Sequence, residues 1–167
     1  HVERTKKALK ALGYNEEALT VLLYQLVALL REGKPVPMGK RSGDYVTLRQ
    51  VLDEVGRDAC RFFFAMRSPG SHLDFDLELA KKKSQENPVY YVQYVHARIS
   101  SILRQAETQG VKVNPSGQLE LLKEPEERDL IKKLIGFEDI LVSCAKVLSP
   151  HLLTAYLLEL AALFHRF

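Results

Sequence analysis

The sequence predicts a mainly α-helical chain, on three observations. Apolar residues recur at three- and four-residue spacing over most of its length. Helix-starting residues (Thr47, Asp58, Asn87-Pro88) and helix-stopping glycines (Gly13, Gly56, Gly110) bracket these periodic stretches. Pro and Gly concentrate in a few connections, chiefly residues 33–43 and 110–117, which leaves the periodic stretches uninterrupted. With 167 residues, 46% hydrophobic and 27% charged, the chain has the composition of a soluble globular protein. Its apolar runs fall short of the roughly 20 residues that span a bilayer, so no membrane span is expected.

Taken in order, the first elements read as a helical hairpin, from about Arg4 to Leu12 and from Glu16 to Arg31, broken at Gly13 and Asn15. The second arm is apolar from Leu19 to Leu30, which predicts burial against something larger than the first arm, with part of that partner missing. The stretch GKPVPMGKRSG from Gly33 to Gly43 is a loop. A short extended piece at Asp44–Thr47 precedes an N-cap at Thr47 and a two-turn helix ending at Gly56. Asp58 caps or opens the next helix, which Ser68, Pro69 and Gly70 stop. His72–Leu79 alternates Leu73, Phe75 and Leu77 with acids, which allows a short extended link before a helical stretch at Glu78–Lys83. Asn87 and Pro88 start the best helix of the chain, which ends before Gly110. After a polar connection from Val111 to Pro125 come helices over about Glu126–Ile135, Phe137–Leu148 and Pro150–Phe167.

On the long helix, a projection at about 100 degrees per residue places Val89, Val92, Val95, Ile99 and Leu103 on a core face. Tyr91, Tyr94 and Arg98 fall on a second face, roughly 130 degrees away. One reading packs these tyrosines on a neighbouring helix with Arg98 at the rim. The other makes them an RNA-binding face, because unstacked bases gain about 1–3 kcal/mol each on aromatic rings and a guanidinium suits phosphates or base edges. His96 reads as structural, and Gln93 points elsewhere. In the loop, Lys34, Lys40 and Arg41 lie among glycines that permit close approach to a polyphosphate, although a solvated surface loop has the same composition.

Other candidates carry less. Cys60 and Cys144 lie in apolar helical patterns without metal-ligand spacing and read as buried free thiols of a cytosolic protein. Asp74 and Asp76 lack a third ligand, so no metal site is expected, and Asp76 is better explained as a helix cap. His72, His151 and His165 have no evident partners. A formal net charge of +3 does not by itself establish a nucleic-acid partner.

Two stretches carry a resemblance. PMGKRSGDYVTLRQVLDEVGRDACRFFFAMRS and HLDFDLELAKKKSQENPVYYVQYVHARISSIL resemble the bacterial arginyl-tRNA synthetases, class I aminoacyl-tRNA synthetases. The resemblance implies the end of a class I catalytic domain over residues 1–45 and an α-helical bundle anticodon-binding domain over residues 46–167, truncated at its C-terminus. It implies ATP-dependent activation of arginine, with Mg2+, and transfer to tRNA(Arg). The mobile KMSKS-type loop, which stabilises the departing pyrophosphate, corresponds to Pro37-Met38-Gly39-Lys40-Arg41. Met38 and Lys40 agree with that motif, while Pro37 and Gly39 stand where it has lysine and serine. Lys40 is thereby the implied catalytic residue, and Met38, Gly39, Lys40 and Arg41 the ATP-binding loop.

DACR, at Asp58–Arg61, is similar to the signature of the family's anticodon domain and is taken as structural. In YVQYVHAR, Tyr91, Tyr94 and Arg98 correspond to positions that contact the anticodon loop. The HIGH-type ATP motif and the arginine pocket are not in this sequence, so the chain alone is expected neither to aminoacylate nor to hold a cofactor tightly. A cytoplasmic monomer is expected. The competing readings are a free-standing helical tRNA-binding or docking module, which has no use for a pyrophosphate-facing Lys40, and another class I enzyme such as the cysteine one, which a Cys/His metal site would mark.

Overall fold

The computed structural model describes residues 1–38, 45–112, 114, 117 and 119–166. Among these, the helices are α1 (Val2–Ala11), α2 (Leu48–Val55), α3 (Arg57–Ala65), α4 (Leu77–Lys81), α5 (Pro88–Thr108), α6 (Pro125–Ile135), α7 (Phe137–Val147) and α8 (His151–Arg166). The strands are β1 (Val27–Arg31), β2 (Lys34–Pro35) and β3 (Leu73–Asp76). The predicted mainly α class holds, with a small sheet added to it.

The sheet corrects the predicted hairpin. Instead of one helix over Glu16–Arg31, a single 3-10 turn at Glu16–Ala18, opened by the Asn15 side chain, gives way to extended chain and then to β1. The run LTVLLYQLVALLR is apolar on every side, and such a run serves a buried strand as well as a helix. What decides is a partner 46 residues further on: β1 pairs in parallel with β3, Val27 opposite Leu73 and Leu29 opposite Phe75. It also pairs antiparallel with β2 through a tight turn at Glu32 and Gly33, both at positive φ. Upstream of β1, Leu22, Leu23, Tyr24 and Leu26 are 52%, 73%, 80% and 84% exposed, so the burial predicted for this run is not supplied by the described residues.

The core lies where the sheet meets α2, α3 and α4. Phe75 and Leu77 are completely buried, with Leu29, Val51, Cys60, Phe63 and Leu73 around them. The Phe63 and Phe64 rings sit 5.0 and 5.5 Å from that of Phe75, tilted and edge-on, which suits the quadrupoles of aromatic rings. Thr47 caps α2 as predicted, in a reciprocal arrangement with Gln50. Asp58 is not a cap. Gly56, at φ 83, ends α2 and begins α3, and Asp58 lies within the first turn. Of the two thiols, Cys60 is buried and Cys144 only partly so.

An ion cluster ties three elements together at the rim. Arg31 on β1 grips Glu54 on α2 with both guanidinium arms, at 2.7 and 2.9 Å, and also reaches Glu78 on α4 at 3.0 Å. Lys81 meets the same two carboxylates. The Arg31 fork, then the Lys81 ammonium, pull the Glu54 carboxyl down to about 2. Asp76 accepts the backbone N–H groups of Glu78 and Leu79 as the cap of α4, and that of Gly33 from the β1–β2 turn. These bonds account for Asp76 without a metal.

In the second half, α8 is the central strut, packed on α5, α6 and α7 and touching α3. Its Tyr156 is buried, donates its hydroxyl to the Lys133 carbonyl at 3.0 Å, and has the Phe137 ring 5.5 Å away. Lys133 lies over the Tyr156 ring and pairs with Glu159. The Val111–Pro125 connection includes a 3-10 turn at Leu119–Leu121.

Candidate nucleic-acid interface

The candidate face is held by the start of α5. Asn87 is 4% exposed and does two jobs. Its side-chain oxygen accepts from the N–H of Val89, capping α5, and its amide nitrogen donates to the carbonyls of Ala80 and Lys82, at 3.0 and 2.8 Å, closing the end of α4. Pro88 at the first helical position adds a φ already suited to a helix. One side chain therefore fixes where the long helix leaves the core.

Asn87→Ala should cost about 2–3 kcal/mol, a lost cap plus two carbonyls left without their donor. The urea unfolding midpoint measures it. Asn87→Asp retains the capping oxygen while removing both amide donors, and should recover only part of the loss. If alanine proved as stable as the parent, the tether would not be what fixes α5.

Along α5, the core-facing prediction holds for its first half and fails beyond. Val89 and Val95 are buried, but Ile99 and Leu103 are 38% and 53% exposed. Together with Arg98, Ile102 and Phe164 they line an open groove of about 310 Å³ between α5 and the end of α8. The projection assumed one partner along the whole helix, whereas the described residues cover this part of α5 only in part. His96, placed near the apolar face by projection, is exposed.

Tyr91, Tyr94 and Arg98 do share one edge, and that edge meets α8. Tyr91 is half-buried, its ring 4.9 Å from that of His165. Tyr94 is 46% exposed and stacks on His165 at 5.6 Å with an interplanar angle of 22°. It also stacks on Tyr90 at 6.2 Å and 16°. The exposed Arg98 places its guanidinium carbon 5.5 Å from the centroid of the Phe164 ring, a cation–π distance. The packing and the exposed readings thus meet in one place: the tyrosines rest on a neighbouring helix and still present ring surface and a cation to solvent.

Sequence reasoning missed Tyr90, Phe164 and His165. Tyr90 was legible, since residues four apart on a helix are neighbours. Phe164 and His165 were not, because only the α5–α8 packing brings them to this edge. His165, left without partners by the sequence, has two aromatic ones. His151 likewise lies 2.6 Å, through Nδ1, from the Ser149 hydroxyl.

In the basic loop, Met38 is 52% exposed and Lys34 lies on the exposed strand β2. Gly39, Lys40 and Arg41 lie outside the described residues. Beside Tyr90, a broad groove of about 790 Å³ runs between the start of α3, the end of α4 and α5, lined among others by Arg57, Lys82, Lys83 and Gln93.

Comparison with known proteins places this geometry. Residues 92–167 match the DALR anticodon binding domain family. Over its whole length the chain is 52% identical to the arginine–tRNA ligase of Desulfitobacterium hafniense, and it spans 30% of that relative's length. Among solved structures, the Thermus thermophilus arginyl-tRNA synthetase superposes on 96% of the chain with a TM-score of 0.73 at 29% identity, 29% of that protein being covered. A Campylobacter jejuni protein assigned as an arginyl-tRNA synthetase superposes on 98% with a TM-score of 0.81 at 30% identity, 35% of it being covered. The chain is therefore similar along its entire length to a part of the arginine–tRNA ligases, and residues 92–167 match the DALR anticodon binding domain family.

Proposed function

We propose that this chain is part of a class I arginine–tRNA ligase, the cytoplasmic enzyme that uses ATP and Mg2+ to join arginine to tRNA(Arg). Within it, residues 46–167 bind the anticodon region, while residues 1–45 close the catalytic domain and carry the pyrophosphate loop Met38-Gly39-Lys40-Arg41. The observation that carries the reading is the solvent-facing edge of α5, where Tyr94 and Arg98 lie within the stretch matched to an anticodon binding domain. Half-open tyrosine rings beside a guanidinium are the equipment for stacking single-stranded bases and holding their phosphates. The cations of the neighbouring groove, Arg57, Lys82 and Lys83, extend the positive surface along which an RNA backbone can run. The bare apolar run Leu22–Leu26 supports membership in a larger protein, as a surface for the rest of the catalytic domain to cover.

Tyr94→Ala in the intact ligase should weaken tRNA(Arg) binding by about 1–3 kcal/mol, the value of one stacking contact. Circular dichroism should be unchanged, since the ring is nearly half exposed. A filter-binding titration of Tyr91→Ala, Tyr94→Ala and Arg98→Ala tests the set, and normal binding by all three returns this edge to helix packing.

A further inference from the structure

We propose that the groove beside Tyr90 is a second RNA subsite, which takes the sugar-phosphate backbone of the strand whose base stacks on Tyr94; the inference rests on the reading of that edge given above. The groove opens between the first turn of α3, the end of α4 and the start of α5. Four cations line it, Arg57, Lys81, Lys82 and Lys83, against one carboxylate, Asp58. Three of the four are occupied within the fold. Lys81 is held by Glu54 and Glu78, Lys82 by Glu86 at 2.7 Å, and Arg57 meets Asp58 at 3.4 Å. Lys83 is exposed and has no such partner among the described residues. Its ammonium therefore stabilises nothing in the free chain and stands ready for a phosphate.

The α5 wall of the groove favours RNA over an acidic protein segment. Tyr90 and the exposed Gln93 form that wall, and the Tyr90 ring stacks on that of Tyr94 at 6.2 Å and 16°. The stacking platform and the groove thus share a pair of rings, and a strand with one base on Tyr94 reaches the groove across Tyr90. A cationic groove that tracks a backbone, joined to aromatic rings that take its bases, is the arrangement that holds single-stranded nucleic acid. An acidic peptide answers the cations and leaves the rings unused. The two subsites also read different things. Stacking and a guanidinium at Tyr94 and Arg98 act on bases, whereas phosphates are alike in every tRNA, so the groove supplies affinity that ignores sequence and falls with salt.

Salt separates the two subsites. The intact ligase is titrated with a tRNA(Arg) transcript and with an unrelated tRNA, at salt concentrations from about 50 to 200 mM. Lys83→Ala should flatten the slope of log Kd against log salt by about 0.7, the share of one phosphate on a single strand. It should weaken both tRNAs by the same factor and leave the melting temperature unchanged, since the side chain is exposed and unpaired. Lys83→Arg, which keeps the charge, should retain the parent slope. Tyr94→Ala should weaken binding at the parent slope. Parent slope and affinity in Lys83→Ala beside a weakened Tyr94→Ala overturn the groove and leave the stacking edge standing. Normal binding by Tyr94→Ala overturns the edge, and with it the shared path, whatever Lys83→Ala does. Weaker binding by Lys83→Ala at an unchanged slope, with a lowered melting temperature, assigns Lys83 to the fold and also overturns the proposal.

Discussion

Phe75→Ala should lower the stability of the chain by about 3–5 kcal/mol, the cost of removing a fully buried aromatic ring and leaving the space it filled. The size of the effect follows from its neighbours. Phe75 sits on β3 at full burial, opposite Leu29 in the parallel ladder and with the rings of Phe63 and Phe64 5.0 and 5.5 Å away. Few atoms stand ready to refill the gap, because the ladder holds the backbone on one side and α3 occupies the other. The effect should travel. Leu77, also fully buried, and Ala80 flank the α4 segment whose carbonyls Asn87 closes, so loosening the centre of the core weakens the footing of α5. Leu134→Ala on α6, at a side chain 53% exposed, should cost well under half as much. Urea unfolding of the two variants decides the matter, and equal midpoints would mean that the core is centred elsewhere.

The parts of this architecture that were legible in the sequence are those set by local chemistry. The Thr47 cap, the Asn87-Pro88 start and the extended link before α4 each follow from residues within four positions of one another, and all three form as expected. The misread segment, Glu16–Arg31, has its conformation chosen at a distance. Leu29 is buried because Phe75 lies across the ladder, and nothing in the spacing of LTVLLYQLVALLR announces a parallel partner.

The candidate site divides along the same line. Tyr91, Tyr94 and Arg98 share a helix edge by arithmetic, and Tyr90 joins them by the same rule. Phe164 and His165 arrive on another helix, so that side of the site was invisible until α8 was seen to pack against α5. For the same reason the projection misjudged Ile99 and Leu103: a helical wheel shows which residues share a face and is silent on how far along the helix that face is covered.

The catalytic half of the proposal makes the other large prediction. In the intact ligase, Lys40→Ala should slow formation of arginyl-adenylate by about 10²-fold, the usual loss when one preorganised charge is withdrawn from a developing anion. Adenylate formation expels pyrophosphate, so negative charge accumulates on the leaving oxygens, and an ammonium held there stabilises the transition state more than bound ATP. The KM for ATP should accordingly change less than kcat, and Lys40→Arg, which keeps the charge while altering its shape and hydration, should recover part of the rate. The loop follows β2, which is anchored rather than free: Val36 donates to the Leu29 carbonyl at 2.8 Å, and the turn before it is pinned by Gly33 to Asp76. Pyrophosphate exchange measures the step without tRNA, so Lys40→Ala should fail in exchange yet bind tRNA(Arg) normally, and Tyr94→Ala should do the reverse. An exchange rate unchanged in Lys40→Ala removes the loop from catalysis. Loss of both functions in either variant would mean that the two ends of this chain act as one site and not as two separable ones.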